Sequence, residues 1–308
     1  MSSATDRLIA SGYEAGWQLA RRLPSEPAYR LAAAAADLAM ARRGPAVVRL
    51  ARNLRRVLGN RATPAALHRE TAAGLRSYAR YWLETFRLPV MDRDEVFARC
   101  EAESSGMEHI AAAVDAGRGV VLALPHSGNW DLAGMWLANT HGSLTSVAER
   151  LEPEGLYRQF LRYRESLGME ILPLTGGDTP VSTALKQRLR AGGIVCLVGD
   201  RDLTASGVPV DFFGEQTRMP AGPAMLAALT GADLCPAHLT FSQVGSERGW
   251  GTHVFPPLQV PGTRLAERVR AGTQLLADRF AERIAGKPAD WHMMQPLWPA
   301  DLPDRVAP

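Results

Sequence analysis

The first ninety residues carry apolar side chains at helical spacing, and this pattern predicts helices throughout the region. Each predicted helix begins near a proline or a polar cap and ends near glycine, proline or arginine, as helix termini commonly do. The four predicted helices cover residues 6–22, 27–43, 45–58 and 64–87. We expect residues 1–90 to form a helical region that packs on the rest of the chain.

The first two predicted helices combine apolar, aromatic and basic side chains. Trp17 and Leu19 lie close to Arg21, and the second helix ends at Arg42 and Arg43. Basic amphipathic helices of this kind lie in membrane interfaces, so the pattern is compatible with attachment to an anionic membrane surface. The alternative is a pair of helices that only pack on the main domain.

From residue 104 onward, helical segments alternate with short apolar runs. The predicted helices cover residues 105–116, 153–167, 179–190, 222–229 and 264–284, and the predicted strands cover 120–124, 144–148, 169–172, 194–198, 208–213, 234–241 and 250–255. Alternation of this kind is typical of α/β proteins, in which helices cover a sheet. The sequence therefore predicts a mostly parallel or mixed central sheet flanked by helices in residues 91–308, in one structural domain with the N-terminal helical region.

Charge and cysteine content indicate which ligands and which redox compartment the sequence favours. The net charge is +3, and lysine occurs only at positions 186 and 287, so nearly all of the positive charge is arginine. Guanidinium groups suit phosphate and carboxylate ligands, although a GC-rich genome also favours arginine. The arginines are dispersed, which disfavours nucleic-acid binding. The three cysteines are far apart and odd in number, which is typical of a reducing compartment.

No Cys or His pair has the spacing of metal ligands, so no metal is expected. The N-terminus lacks the apolar core of a signal peptide, and no apolar run of about 18 residues spans a bilayer. We expect a protein without a signal peptide or a transmembrane helix, soluble or peripherally bound at a membrane on the cytoplasmic side.

The segment V-V-L-A-L-P-H-S-G-N-W-D, residues 120–131, carries the main candidate chemistry. An apolar strand stops at Pro125, and His126 follows where ligands bind in α/β sheets. Asp131 falls in the first turn of the next helix and can reach back to one ring nitrogen of His126, which leaves the other nitrogen free to take a proton from a hydroxyl. The alternative is a loop histidine without a role, beside a helix capped by Asn129.

Ser127 is a poor candidate for a nucleophile. The nucleophile elbow of hydrolases requires G-x-S-x-G, and this chain has H-S-G-N at positions 126–129. Because a serine nucleophile is disfavoured, we favour a histidine base that takes a proton from the hydroxyl of a substrate.

The H-x4-D box from His126 to Asp131 resembles the first conserved block of the glycerolipid and lipid A type acyltransferases, the lysophospholipid acyltransferase superfamily. Further boxes occur in the order expected of that superfamily: A-E-R at 148–150, Y-R-E-S-L-G at 163–168, G-D-R-D at 199–202 and F-F-G at 212–214. The order of these boxes and the H-S-G-N-W-D sequence of the first box most closely resemble those of the phosphatidylinositol mannoside acyltransferases. The resemblance extends from about residue 5 to about residue 298.

This resemblance implies transfer of a palmitoyl-type chain from acyl-CoA to a phosphatidylinositol mannoside. The acceptor atom would be the 6-hydroxyl of the mannose on the inositol 2-position. His126 would act as general base, and Asp131 would fix its tautomer. Since coenzyme A leaves readily as a thiolate, neither a metal nor any cofactor beyond the donor substrate is needed. The protein would work at the cytoplasmic face of the plasma membrane as a peripheral protein.

Several polar residues at predicted strand and helix ends are candidates for substrate binding. Glu149 and Asp200 can accept hydrogen bonds from sugar hydroxyls, and Arg164 matches a position of the family. Asn129 and Arg201 complete the set of candidates. The alternative for Glu149 and Asp200 is ion pairing with the arginine that follows each of them.

Asp200 also departs from the family, whose members carry glutamate there. Asp200 remains a candidate catalytic residue beside His126 and Asp131, but one methylene less shortens the reach of its carboxylate, and a role in substrate binding tolerates this change more easily.

Three other functions remain compatible with the sequence. A late acyltransferase of the lipid A type would use an acyl carrier protein, but such relatives carry an N-terminal membrane anchor and a glutamate in the G-D-R-D box. An acyl-ester hydrolase would use the same histidine with water. A non-catalytic lipid carrier would bind the lipid without transferring an acyl chain.

Overall fold

The N-terminal region of the computed structural model is helical, as the sequence predicts. The structure describes residues 16–149, 154–176, 179–202, 206–245 and 247–301. The described part of α1 covers residues 16–22, and α2 (Ser25–Arg42), α3 (Pro45–Leu58) and α4 (Pro64–Arg87) follow. Residues 1–15, which include most of the first predicted helix, lie outside the described residues.

Trp17 fixes α1 against the body of the protein. Its side chain is only 3% exposed, and its ring centre lies 5.2 Å from that of Phe86 at the end of α4. The indole Nε1 of Trp17 donates a hydrogen bond to the carbonyl oxygen of Phe86 at 3.1 Å. For this residue the packing alternative is confirmed, because a buried indole is not available to a membrane.

Two further helices lead from this region into the sheet, α5 (Arg93–Glu103) and α6 (Met107–Asp115). The sequence predicts α6 but not α5. Only Val96 and Cys100 of α5 are buried, and its other positions are mostly charged or small. Two apolar positions are too few to stand out as an amphipathic pattern.

The central sheet has six strands in the order β3-β2-β4-β1-β7-β8. The strands are β1 (Val120–Leu124), β2 (Leu144–Ala148), β3 (Met169–Pro173), β4 (Ile194–Val198), β7 (Asp233–Val244) and β8 (Glu247–Val254). All neighbours pair in parallel except β8, which runs antiparallel to β7. Because β1 and β4 are neighbours in parallel, the residues that follow them meet at one edge of the sheet.

The helices that connect the strands are α7 (Trp130–Thr140), α8 (Glu154–Ser166), α9 (Val181–Arg190) and α10 (Gly222–Thr230), and α11 (Leu265–Gly286) follows β8. A separate hairpin is formed by β5 (Val208–Phe212) and β6 (Glu215–Met219). The sequence predicts β5 as a strand but misses β6. The segment E-Q-T-R-M has no apolar alternation, since the inward position at its centre is Thr217.

Helices cover both faces of the sheet. Val120, Leu122 and Leu124 of β1 belong to one hydrophobic cluster, and Val121 and Ala123 belong to the other. Successive side chains of a strand point to opposite faces, so a strand that is apolar at every position lies between two packed layers. The predicted fold class, a mostly parallel α/β sheet flanked by helices with an N-terminal helical region, is confirmed.

Within the described part of the chain, none of the helices combines the length and the apolar character needed to cross a membrane.

Candidate active site

The loop after β1 is held by a segment that lies far away in the sequence. Ser127 forms an isolated antiparallel bridge with Trp291. The N–H of His292 donates to the carbonyl oxygen of His126 at 2.8 Å, and the N–H of Gly128 donates to that of Asp290 at 3.1 Å. Residues 290–292, called the strap below, therefore fix the backbone of the His126 loop from one side.

Gly128 is required by the closeness of this packing. It has a φ of +57°, which L side chains rarely adopt. A Cβ atom there would lie 2.7 Å from Cβ of Leu239 and 2.8 Å from its carbonyl carbon. The H-S-G-N sequence thus reflects a tight backbone approach between the loop and β7.

Asp200, rather than Asp131, orients the ring of His126. The Nδ1 atom of His126 lies 2.6 Å from Oδ1 of Asp200, and the backbone N–H of His126 donates to Oδ2 at 2.9 Å. The predicted hydrogen bond from Asp131 to His126 is thereby corrected. Asp200 follows β4, the parallel neighbour of β1, so its shorter side chain reaches the histidine without the extra methylene of glutamate.

The environment of Asp200 keeps it charged. Its side chain is completely buried, which disfavours the ionised form. The charge of His126 and the hydrogen bonds from His126 and from the indole of Trp291 outweigh this burial and hold the pKa of Asp200 below its usual value. Since an ionised carboxylate only accepts hydrogen bonds, Nδ1 of His126 carries the proton. The other ring nitrogen, Nε2, is not engaged by Asp200, and the side chain of His126 is 33% exposed.

Asp131 instead forms an ion pair with Arg164. The guanidinium Nε of Arg164 donates to Oδ1 of Asp131 at 2.6 Å, and the hydroxyl of Tyr81 donates to Oδ2 at 3.1 Å. Burial disfavours the charged guanidinium, but the charge of Asp131 raises the pKa of Arg164 above its ordinary value. As the second residue of α7, Asp131 lies on the buried face of that helix, where a cation competes better for it than a neutral imidazole.

Asn129 is the N-cap of α7. Its Oδ1 accepts a hydrogen bond from the N–H of Leu132 at 3.0 Å, and its Nδ2 donates to Oε2 of Glu84 at 3.1 Å. The residue is 3% exposed. The structure thus gives Asn129 a role in the helix terminus, and its direct contact with substrate stays a prediction.

Glu84 of α4 connects the helical region to this cap. Its carboxylate is fully buried and accepts hydrogen bonds from four donors. These are the hydroxyl of Tyr29, Nε of Arg80, Nδ2 of Asn129 and the indole Nε1 of Trp250. The start of α7, directly after the His126 loop, is therefore tied to α2, α4 and β8.

Glu149 and Arg164 are brought together by the fold. Both line a cavity of about 200 Å³ beside the end of β2, with aromatic and aliphatic side chains of α8 as its other wall. Glu149 is exposed, and Arg201 is half-buried next to Asp200. Arg150, the predicted partner in an ion pair with Glu149, lies outside the described residues. The predicted pairing of Asp200 with Arg201 is replaced by the bonds of Asp200 to His126 and Trp291.

Several residues of the site escape sequence reasoning, namely Tyr81, Glu84, Trp291 and His292. The hydroxyl of Ser77 donates to Oδ1 of Asp290 at 3.0 Å and lies 2.9 Å from Nε2 of His292. Burial, with a smaller effect of the charge on His126, lowers the pKa of His292 to about 3, so this ring is neutral. The one local signal was D-W-H at 290–292, a polar and aromatic cluster in the sequence, but nothing in it indicates where the segment lies.

In the described ranges, the His, Cys, Asp and Glu side chains form no group of three or more that is placed to hold a metal ion.

A mostly parallel α/β sheet thus presents a histidine, oriented by a buried carboxylate, at the ends of the neighbouring strands β1 and β4. The model of the bacterial lipid A biosynthesis acyltransferase family matches residues 2–300. The chain belongs to this acyltransferase family, as the resemblance of its H-x4-D box indicates.

Among individual proteins, the chain is similar to a phosphatidylinositol mannoside acyltransferase of Mycolicibacterium smegmatis. The two are 52% identical over 294 residues, which cover 95% of this chain and 92% of the relative. A protein of the same name from Mycobacterium tuberculosis is 51% identical over 302 residues, covering 98% of this chain and 92% of the relative. The predicted resemblance to this group of acyltransferases is confirmed.

Proposed function

We propose that the protein transfers a palmitoyl-type chain from acyl-CoA to a phosphatidylinositol mannoside, at the 6-hydroxyl of the mannose on the inositol 2-position. The observation that carries this proposal is the His126–Asp200 pair. A buried carboxylate holds Nδ1 of His126, while the ring remains one-third exposed at the open edge of the sheet. The names of the mannoside acyltransferase relatives support the acceptor.

In this reaction Nε2 of His126 takes the proton of the sugar hydroxyl while the hydroxyl oxygen attacks the thioester carbonyl carbon. Asp200 stabilises the imidazolium that results. The tetrahedral intermediate collapses, the carbon–sulfur bond breaks, and the coenzyme A thiolate takes the proton back from His126. The products are the sugar ester and free coenzyme A, so atoms and charges balance without a covalent enzyme intermediate.

Substrate-binding roles follow from the positions of the remaining polar residues. Glu149, in the cavity shared with Arg164, accepts hydrogen bonds from sugar hydroxyls. Arg164 keeps its ion pair with Asp131 and orients that wall of the cavity. Arg201, beside Asp200, offers a cation to phosphate groups of either substrate.

The proposed location is the cytoplasmic face of the membrane, with α2 at the lipid surface. Leu31 and Leu38 are 58% and 51% exposed, and they lie two turns apart on one face of α2. Arg42 shares that face, and Arg43 follows it. Exposed apolar side chains flanked by arginine suit the interface of an anionic bilayer.

The decisive experiment incubates the purified protein with palmitoyl-CoA and phosphatidylinositol mannosides and reads the products by mass spectrometry. We expect one palmitoyl ester on the mannoside, and a loss of at least about a hundredfold in rate for His126→Ala. His68→Ala is the control, because His68 is an exposed histidine of α4 and its removal should leave the rate unchanged.

The competing functions give different results in the same assay. Release of coenzyme A that does not depend on acceptor identifies a hydrolase. Turnover only with palmitoyl-acyl carrier protein identifies the lipid A type of donor. Lipid binding without turnover in the wild-type protein identifies a carrier and rejects the proposed reaction.

A further inference from the structure

The carboxylate of Asp200 is shared between His126 and Trp291. Its Oδ1 faces Nδ1 of His126, and its Oδ2 accepts both the backbone N–H of His126 and the indole Nε1–H of Trp291, the latter at 2.8 Å. Both Asp200 and Trp291 are completely buried. The indole therefore binds the same buried charge that orients the proposed base.

We propose that Trp291 is a positioning residue whose indole N–H sets how readily the His126–Asp200 pair takes up a proton. The inference rests on the proposed function of His126 as the base. Each donor to a carboxylate stabilises its charged form and draws charge away from its other partners. Without the indole N–H, the carboxylate of Asp200 would carry more negative charge and would stabilise a proton on the His126–Asp200 pair more strongly. The pair would then protonate at higher pH, whichever of its two members takes the proton.

The surroundings of the pair leave few other charges to compete with this effect. From the strap, His292 is neutral because it is buried, and Asp290 is paired with Lys287 at 3.1 Å. On the α7 and α8 side, Asp131 and Arg164 pair with each other. Arg201 follows Asp200 in the chain and is half-buried.

The remaining sides of Trp291 are aromatic. The rings of Phe212 and Phe213 from the hairpin lie 6.1 and 6.2 Å from it, and that of Trp298 lies 6.5 Å away. On the α10 and α11 side, the position before Asp200 faces Pro223 and Phe280. Beyond these rings, Arg56 stacks on Trp298 and is paired with Glu215 and Asp301.

Trp291→Phe tests the proposal because it removes the N–H and keeps an aromatic ring. Trp298→Phe is a matched control. Trp298 is 1% exposed in the same hydrophobic cluster, and its N–H donates to a backbone carbonyl, that of Phe212, at 3.3 Å. Both variants lose the same atoms from the core, but only one of them loses a donor to Asp200.

Two readouts are compared. The first is the acid limb of the pH profile of kcat/KM for acyl transfer. The second is the pH titration of the His126 ring signals in NMR, assigned with His126→Gln, which needs no activity. We expect both midpoints to rise by about 0.5 to 1 pH unit in Trp291→Phe and to stay in place in Trp298→Phe. Unchanged midpoints in Trp291→Phe, or equal shifts in the two variants, would overturn the proposal.

A second measurement covers the case in which Trp291→Phe does not fold. Incorporation of 5-fluorotryptophan into the wild-type protein keeps the ring and makes its N–H a stronger donor, so both midpoints should move to lower pH. The same label in Trp298→Phe should give the same downward shift of both midpoints. An absent or upward shift in the labelled wild-type protein contradicts the proposed effect of the Trp291 indole on the His126–Asp200 pair. If the midpoint of the His126 titration shifts as expected but the wild-type protein transfers no acyl chain, the proposed function is wrong, while the effect of Trp291 on the protonation of the pair is confirmed.

Discussion

At the scale of single residues, two carboxylates of the site have separate tasks. The sequence places both at the ends of predicted strands or helices, but it predicts a hydrogen bond to His126 for Asp131 alone. The pairing is not predictable from it, because the partners of Asp131 come from α4 and α8. Arg164 and Tyr81 take both oxygens of Asp131, and Asp200 then occupies the place beside His126. Spacing along the chain indicates proximity but not which of two nearby acids makes the bond.

This division predicts different defects for Asp200→Asn and Asp131→Asn. Asp200→Asn keeps the shape but loses the charge that stabilises the imidazolium, so kcat/KM should fall by about 10³ to 10⁴ with the fold intact. Asp131→Asn leaves Arg164 without its ion pair and should lower the free energy of unfolding by about 3 to 5 kcal/mol. Enzyme kinetics and urea denaturation measure the two effects. A folded, fully stable Asp131→Asn enzyme without activity would show that Asp131 acts on His126 directly.

At the scale of elements, the strands that carry the site were the easiest to predict. The predicted bounds of β1, β2 and β4 agree with the structure, as do those of α3 and α4. Continuous apolar runs in β1 and β4 and proline starts in α3 and α4 make these termini visible in the sequence. The strap and the hairpin strand β6 have polar or mixed residues, and their positions depend on contacts with distant segments. These contacts leave no local periodicity to detect.

Helix α2 carries the prediction on membrane attachment. Changing Leu31 and Leu38 together to glutamine removes the exposed apolar pair without touching buried positions of α2, which are Ala28 and Ala36. We expect the variant to sediment less with vesicles that contain anionic phospholipid, since binding scales with buried apolar area. Leu229→Gln is the control, because Leu229 is 42% exposed at the end of α10. Equal binding of all three proteins would show that α2 does not contact the lipid.

At the scale of the whole molecule, the sheet and its two covered faces were predictable because β1 and β4 are apolar enough to be buried on both sides. The packing of the strap on the His126 loop was not predictable from the sequence. Gly128, Trp291 and His292 meet only when the end of α11 returns to the loop after β1. Two buried histidines, His238 and His292, make the stability of the protein depend on pH.

Burial is the main cause that lowers the pKa of both His238 and His292 to about 3. The unfolded histidines titrate near pH 6.5, so below that pH the unfolded chain binds protons that the folded chain does not. Stability is therefore fully present above about pH 6.5 and falls as the pH drops towards 3. Between pH 7.5 and 5.5, each histidine should remove about 1.4 kcal/mol from the free energy of unfolding.

Chemical denaturation at the two pH values measures this loss. His238→Gln should reduce the difference by the share of one histidine, whereas His68→Gln, at an exposed position, should leave it unchanged. Asp200 contributes in the same direction but only at lower pH, since its carboxylate remains charged in this window. An identical pH dependence in the His238 variant would contradict the assignment.

The strap also sets an order of assembly on the ribosome. The loop with His126 emerges early, with the first strand of the sheet, but the backbone groups that clamp it and the indole that binds Asp200 belong to a segment translated much later. A nascent chain can build most of its parallel sheet and still have an imidazole that is not clamped. The loop therefore acquires its clamped backbone, and Asp200 its indole donor, only after residues 290–292 have been translated.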